Sequence, residues 1–92
     1  MKGKIIYSAH VVTQMFKRGI SDLDIVHVLN TGVVIKEYPD DIPYPSRLIL
    51  GYTGKTPLHV VCAVNEAGEN VVITAYQPDK TLWNSEYTIK KK

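Results

Sequence analysis

The chain has 92 residues, a length that suits one small domain with a modest core. Apolar residues make up 45% and charged residues 22%, which is ordinary globular usage and argues against disorder, collagen-like repeats and coiled coil. The net charge is +2, but five lysines near the termini supply it: residues 5–89 carry six basic and nine acidic residues, a net charge of −3. The overall positive charge is therefore weak evidence for a nucleic-acid partner.

Two short helices are predicted at the start of the chain. Ser8 is a suitable N-cap for a helix over residues 9–18, and Gly19 follows at the position where a left-handed residue commonly ends a helix. Ser21 begins a variant of the capping box, which predicts a second helix over residues 22–30.

After Gly32 the apolar pattern changes to a period of two, which is typical of strands. Strands are predicted over residues 33–38, 47–52, 58–64 and 71–76. Residues 83–89 could form a turn plus a short edge strand, or a docked tail. The prediction is an α+β fold of one domain over residues 1–92, with two N-terminal helices packed on one face of a four- to five-stranded curved antiparallel sheet.

The sheet face away from the helices is the predicted site. Alternation along the strands places Arg47, His59, Thr74 and Tyr76 on this face. His59 could transfer a proton near neutral pH, Arg47 could bind a phosphate, and Tyr76 could stack on a base. These are the groups that metal-independent RNA cleavage requires, although a histidine such as His59 is more often a structural residue with its hydrogen bonds satisfied.

The first helix carries a second group of polar residues. His10, Lys17 and Arg18 lie on one face and could bind phosphate or a protein partner, or could simply face solvent.

The cysteine content and the apolar segments of the sequence bear on cofactors and on cellular location. Cys62 is the sole cysteine, which excludes an internal disulfide, and no Cys/His spacing is typical of a zinc site, so no metal or other cofactor is expected. The N-terminus lacks the apolar run of a signal peptide, and no stretch approaches the roughly 18 apolar residues of a membrane span. We expect a cytoplasmic protein without a membrane partner.

Taken in order, several short motifs resemble a family of small prokaryotic domains of unknown function that is grouped with RelE-like toxins. The motifs are Ser8-Ala9-His10, Arg18-Gly19-Ile20-Ser21, Glu37-Tyr38-Pro39-Asp40-Asp41, Tyr44-Pro45-Ser46-Arg47-Leu48-Ile49-Leu50-Gly51, Pro57-Leu58-His59-Val60-Val61 and Thr74-Ala75-Tyr76-Gln77-Pro78-Asp79, with Trp83 beyond. The resemblance covers nearly the whole chain, and Gln77 departs from the acidic residue expected before Pro78-Asp79.

The resemblance implies a RelE/BrnT/MqsR-like fold, in which related toxins are metal-independent ribonucleases inhibited by a partner antitoxin, here one of the zinc-finger MqsA kind. It implies site positions at His10, Arg18, Arg47, His59 and Tyr76.

Two functions are therefore predicted as alternatives. The first is a type II toxin that cleaves mRNA by attack of the 2′-hydroxyl, with His59, Arg47 and Tyr76 as catalytic residues and His10, Lys17, Arg18 and Thr74 as RNA contacts. The second is a non-catalytic protein-interaction module, a degenerate relative of such toxins. If the protein is such a toxin, the basic tail, residues 90–92, attracts RNA. With either function the exposed edge strands would allow two copies of the chain to form a homodimer.

Overall fold

The computed structural model describes residues 3–91, in which two helices and five strands form an α+β fold. The elements are β1 (Ile5–Tyr7), α1 (Ala9–Arg18), α2 (Asp22–Thr31), β2 (Val33–Tyr38), β3 (Ser46–Thr53), β4 (Thr56–Val64) and β5 (Asn70–Tyr76). The predicted α+β class, both helices and four of the strands are confirmed, with ends that differ by at most two residues.

The helix ends follow the capping residues. The Ser8 hydroxyl accepts a hydrogen bond from the Val11 amide, and Gly19 ends α1 with a left-handed φ of 67°. At α2 the Ser21 hydroxyl accepts from the Asp24 amide while the Asp24 carboxylate accepts from the Ser21 amide, so the predicted capping box is complete.

The strand order is β1-β5-β4-β3-β2, and the sheet is mixed because β1 runs parallel to β5. The strand pattern of the sequence predicts antiparallel pairing only and does not predict β1. Three residues are too few to show a period, and β1 is held by its neighbour: the Asn70 amide donates to the Lys4 carbonyl oxygen over 2.7 Å, and the Asn70 side chain donates to the same atom over 3.1 Å.

The main core lies between the two helices and one face of the sheet. Its buried members are Val11, Met15, Ile20, Ile25, Val28, Leu29, Ile49, Leu58, Val60, Cys62, Val72 and Ala75. Helix α2 approaches β3 closely at Gly51, where a Cβ atom would lie 2.9 Å from a methyl carbon of Val28. The missing side chain therefore sets the distance between helix and sheet.

The face assignment predicted for β3 is wrong. Arg47 lies opposite Cys62 and Ile49 lies opposite Val60, so both belong to the face under the helices, where Cys62 and Val60 are core residues. Arg47 is thus on the other side of the sheet from His59. Alternation misled here because Leu48, Ile49 and Leu50 are all buried: both faces of β3 are covered.

A β-bulge changes the faces along β5 as well. Cys62 pairs with Val72 and Val61 pairs with Thr74, so one residue of β5 is extra at this point. The alternation predicted from the sequence holds for Tyr76, which remains opposite His59, but not for Val72, which belongs to the core.

The C-terminal segment, residues 79–91, docks as a tail. It contains turns and a single antiparallel bridge between Trp83 and Lys90 instead of an edge strand. It covers the face of the sheet opposite the helices, since Trp83 and Tyr87 contact His59 there. Lys92, the last residue of the predicted basic tail, lies outside the described residues. No helix within residues 3–91 is long and apolar enough to cross a membrane.

Candidate functional site

His59 is fully buried, with 0% of its surface exposed, and both ring nitrogens have a partner. Nε2 lies 2.8 Å from the Tyr87 carbonyl oxygen, and Nδ1 lies 3.2 Å from the Tyr76 hydroxyl. A carbonyl oxygen can only accept, so Nε2 carries a proton. A tyrosine hydroxyl can donate or accept, but burial lowers the pKa of His59 and so favours the neutral ring, in which Nδ1 accepts from the Tyr76 hydroxyl.

Two aromatic rings complete the surroundings of His59. The Tyr76 and Trp83 rings meet the imidazole edge to face, with centroids 5.2 and 4.4 Å away. Burial lowers the pKa of His59, and the hydrogen bond to the Tyr87 carbonyl opposes this effect without cancelling it. The imidazole therefore holds the tail against the sheet and has no nitrogen free for a ligand.

A cleft of about 520 Å³ opens beside this cluster, between β2, the ends of β3 and β5, and the tail. It is lined by Lys36, Tyr38, Leu48, Tyr76, Trp83, Thr88, Ile89 and Lys90. The volume lies within the range of about 300–1,000 Å³ that is usual for small-molecule sites. The lining combines two ammonium groups with three aromatic rings. We call this site the Tyr76 cleft.

The cations and rings of the Tyr76 cleft are adjacent. Lys36 Nζ lies 5.4 Å from the centroid of the Tyr38 ring, a cation–π contact. The Tyr76 hydroxyl donates to His59, and burial followed by the influence of Tyr38 raises the pKa of Tyr76. Tyr76 therefore links the buried imidazole to the open cleft.

Arg18 reaches the same tyrosine from α1. Its Nη1 donates to the Ala75 carbonyl oxygen over 2.7 Å, and Arg18, Tyr76 and Gln77 line an open groove of about 350 Å³. Two of the residues predicted for the site, Arg18 and Tyr76, are thus brought together.

Arg47 is not part of this arrangement. It lines a smaller cavity of about 140 Å³ on the helix side of the sheet, together with Leu29 and Cys62. Burial raises the pKa of the Cys62 thiol, and the guanidinium of Arg47 counteracts part of that effect.

The remaining predicted contacts lie along α1 and β5. Gln14 joins two of them: its amide nitrogen donates to His10 Nε2 over 2.9 Å, and its carbonyl oxygen accepts from the Thr74 hydroxyl over 3.0 Å. Lys17 is exposed and lines neither the Tyr76 cleft nor the Arg18 groove.

The sequence-based prediction did not include Lys36 in the site, and it placed Lys90 only in a basic tail that attracts RNA. Lys36 and Tyr38 are two residues apart on β2 and therefore share a face, which is a signal that alternation could have provided. Lys90 and Trp83 had no such signal, since the path of the tail depends on tertiary contacts. Among residues 3–91 no group of three or more His, Cys, Asp or Glu side chains is arranged to hold a metal ion.

Comparison with known proteins gives one result that bears on identity. The model of a family described as a domain of unknown function (DUF4258) matches residues 7–77. No curated protein and no solved structure matches the chain. The match includes Lys36, Tyr38 and Tyr76, while the part of the cleft formed by the tail lies beyond it.

Proposed function

The chain belongs to the DUF4258 family, whose model covers well over half of it, and from the geometry of its cleft we propose that the protein binds single-stranded RNA. We include in this proposal the RelE-like toxin role that the sequence motifs suggest. The observation that carries the proposal is the lining of the Tyr76 cleft, where two lysines stand among three aromatic rings.

This lining suits unpaired nucleotides for two reasons. Bases that are not in a duplex can stack on aromatic side chains, and Tyr38, Tyr76 and Trp83 are available on the cleft walls. Ammonium groups attract the phosphates, and Lys36 and Lys90 supply them locally although residues 5–89 carry a net negative charge.

Titration of the protein with a labelled oligouridylate by fluorescence anisotropy tests RNA binding. Lys36→Gln and Lys90→Gln should each weaken binding several-fold and reduce the slope of log K against log salt by about 0.7, the value for one phosphate contact on a single strand. Arg47→Gln is the matched control, because it removes one positive charge from the opposite side of the sheet. Equal effects of all three changes would contradict binding in the cleft.

Trp83 gives a direct readout, since it is the only tryptophan in the sequence and lines the cleft. Stacking of a base on its indole should change the intrinsic fluorescence on addition of unlabelled RNA. An unchanged signal at saturating RNA would exclude Trp83 from the binding site.

Cleavage of the bound RNA requires different roles from those predicted for His59 and Arg47. His59 is buried with both nitrogens bonded, so it does not reach a phosphate, and Arg47 lies across the sheet. In our proposal the 2′-hydroxyl oxygen attacks the phosphorus while the bond from phosphorus to the 5′-oxygen breaks. The Tyr76 hydroxyl, which its raised pKa keeps protonated, gives its proton to the departing 5′-oxygen and is reprotonated from solvent, water accepts the proton of the 2′-hydroxyl, and His59 is a positioning residue behind Tyr76. Lys36 and Lys90 replace Arg47 as the cations near the phosphate.

Incubation of a labelled RNA with the protein in EDTA tests this assignment. We expect a 2′,3′-cyclic phosphate product that Tyr76→Phe abolishes without loss of RNA binding. RNA binding without any cleavage would contradict the proposed ribonuclease activity but not the proposed RNA binding.

A second candidate function, a protein-interaction module, is favoured by exposed apolar residues on α1. Val12 and Phe16 are 52% and 89% exposed and stand one helical turn apart, so they form a small apolar surface. If an antitoxin encoded by an adjacent reading frame binds here, Phe16→Glu should prevent copurification of the two proteins. Ile42→Glu is the control, since Ile42 is 92% exposed but lies in the loop after β2.

A further inference from the structure

We propose that the RNA site continues past Tyr76 into the groove formed by Arg18 and Gln77, so that the ligand is an extended strand of several nucleotides and not a single nucleotide. This inference rests on the proposed function and adds a second phosphate subsite to it. The observation behind it is that Tyr76 lines both the Tyr76 cleft and the Arg18 groove.

The two spaces share one aromatic residue, and each has its own cations. Lys36 and Lys90 line the cleft, Arg18 lines the groove, and Tyr76 lines both. A mononucleotide in the cleft carries phosphate on one side only. A strand repeats its phosphate at every nucleotide, so it can place one phosphate near the lysines and a later one near Arg18 while a base stacks on Tyr76.

Arg18 is already oriented for this contact. Its hydrogen bond to the Ala75 carbonyl oxygen anchors one end of the guanidinium beside the last residues of β5. That bond uses one of the five N–H donors of the group, which leaves donors for a phosphate. An anchored guanidinium loses less conformational entropy on binding than a free side chain does.

The neighbouring acidic residue, Asp79, does not line the groove. Its carboxylate accepts instead from the amide and the hydroxyl of Thr81 over 2.8 and 2.7 Å. Within the groove itself Gln77 is uncharged, so nothing contributed by that position competes with a phosphate for Arg18.

The test compares uridine monophosphate with a hexauridylate, each titrated into the full chain and followed by Trp83 fluorescence. We expect Arg18→Gln to lower the affinity for the hexamer about tenfold and to leave that for the mononucleotide unchanged. Glutamine is uncharged and two bonds shorter than arginine, so the variant removes the charge together with the hydrogen bond to the Ala75 carbonyl oxygen. Unchanged mononucleotide binding also shows that the variant is folded.

Two further variants sharpen the result. Lys17→Gln removes a charge from the adjacent residue of α1 and should leave both affinities unchanged, whereas Gln77→Glu should weaken hexamer binding by pairing with Arg18. The inference is overturned if Arg18→Gln and Lys17→Gln have the same effect, or if the hexamer binds no more tightly than the mononucleotide.

The failure of this inference differs from the failure of the proposed function. In the first case both ligands bind in the cleft, depend on Lys36 and are insensitive to Arg18→Gln. In the second case neither ligand binds, and the inference falls with the function on which it rests.

Discussion

His59 and Tyr87 are 28 positions apart in sequence, and His59 Nε2 donates to the Tyr87 carbonyl oxygen over 2.8 Å. Tyr87 adopts a positive φ of 59°, which is uncommon for a residue other than glycine, and it is held there by the surrounding tail. The bond joins the middle of β4 to the tail and so completes one wall of the Tyr76 cleft.

Replacing His59 with alanine should destabilise the fold by about 3 kcal/mol, because the change leaves a cavity and deprives the Tyr87 carbonyl and the Tyr76 hydroxyl of their partner. Urea denaturation measures the loss, and Trp83 emission in the absence of urea should shift to longer wavelength if the tail detaches. His27→Ala is the control, since His27 is exposed on α2. A loss below about 1 kcal/mol for His59→Ala would contradict the structural role assigned to the imidazole.

The sequence predicts an element of the fold well when the interactions that determine that element are between residues close together in the chain. The Ser8 and Ser21 caps and the glycine after α1 predict both helices closely, since capping involves residues within one turn. The three-residue strand β1 and the docking of the tail depend on contacts with distant parts of the chain. Neither leaves a periodic pattern in the local sequence.

The candidate site was predicted in part for the same reason. The sequence predicts the correct face for Tyr76 and His59 but not for Arg47. Because several consecutive residues of β3 are apolar, their pattern does not show which alternate set faces the helices. Gly51 contains the missing information: a glycine inside a strand often marks a close approach of another backbone. If Gly51 is assigned to the face under the helices, Arg47 is assigned to the same face, because the two residues are four positions apart on one strand and side chains alternate between faces.

Stability should fall as the pH decreases below about 6.5. In the unfolded chain His59 takes up a proton near its ordinary pKa of about 6.5, whereas burial lowers its pKa in the fold. The unfolded state therefore binds more protons in this window, and the free energy of unfolding decreases by at most about 1.4 kcal/mol per pH unit until the folded form is also protonated. The stabilisation is complete above about pH 6.5.

Urea denaturation between about pH 7.5 and pH 5 measures this slope, and comparison with His59→Gln isolates the contribution of His59 from those of the carboxylates. The difference in free energy of unfolding between the two proteins should shrink as the pH falls. Parallel curves for the two would show that His59 does not titrate differently in the fold.

The Cys62 thiol should be unreactive in the native protein. Cys62 is buried in the core, and burial raises its pKa, so little reactive thiolate is present and reagents have no access. Reaction with an aromatic disulfide reagent should be slow in buffer and fast in urea. Rapid native-state labelling would contradict this prediction and show either that the core between α2 and β4 opens readily or that the reagent reaches the thiol through the cavity beside Arg47.

Gly51→Ala should destabilise the protein by about 1–3 kcal/mol, because the new methyl group would lie 2.9 to 3.1 Å from three carbon atoms of Val28 and would force α2 away from β3.

Val28→Ala alone should also be destabilising, since Val28 is fully buried and its removal leaves a cavity. In the double variant the alanine at position 51 occupies space that Val28 has vacated. The loss should therefore be smaller than the sum of the two single losses, by about 1 kcal/mol, in a double-mutant cycle measured by urea denaturation. Additive losses would mean that α2 is not held at this distance by Gly51, and the placement of Arg47 on the helix side would lose the packing argument that supports it.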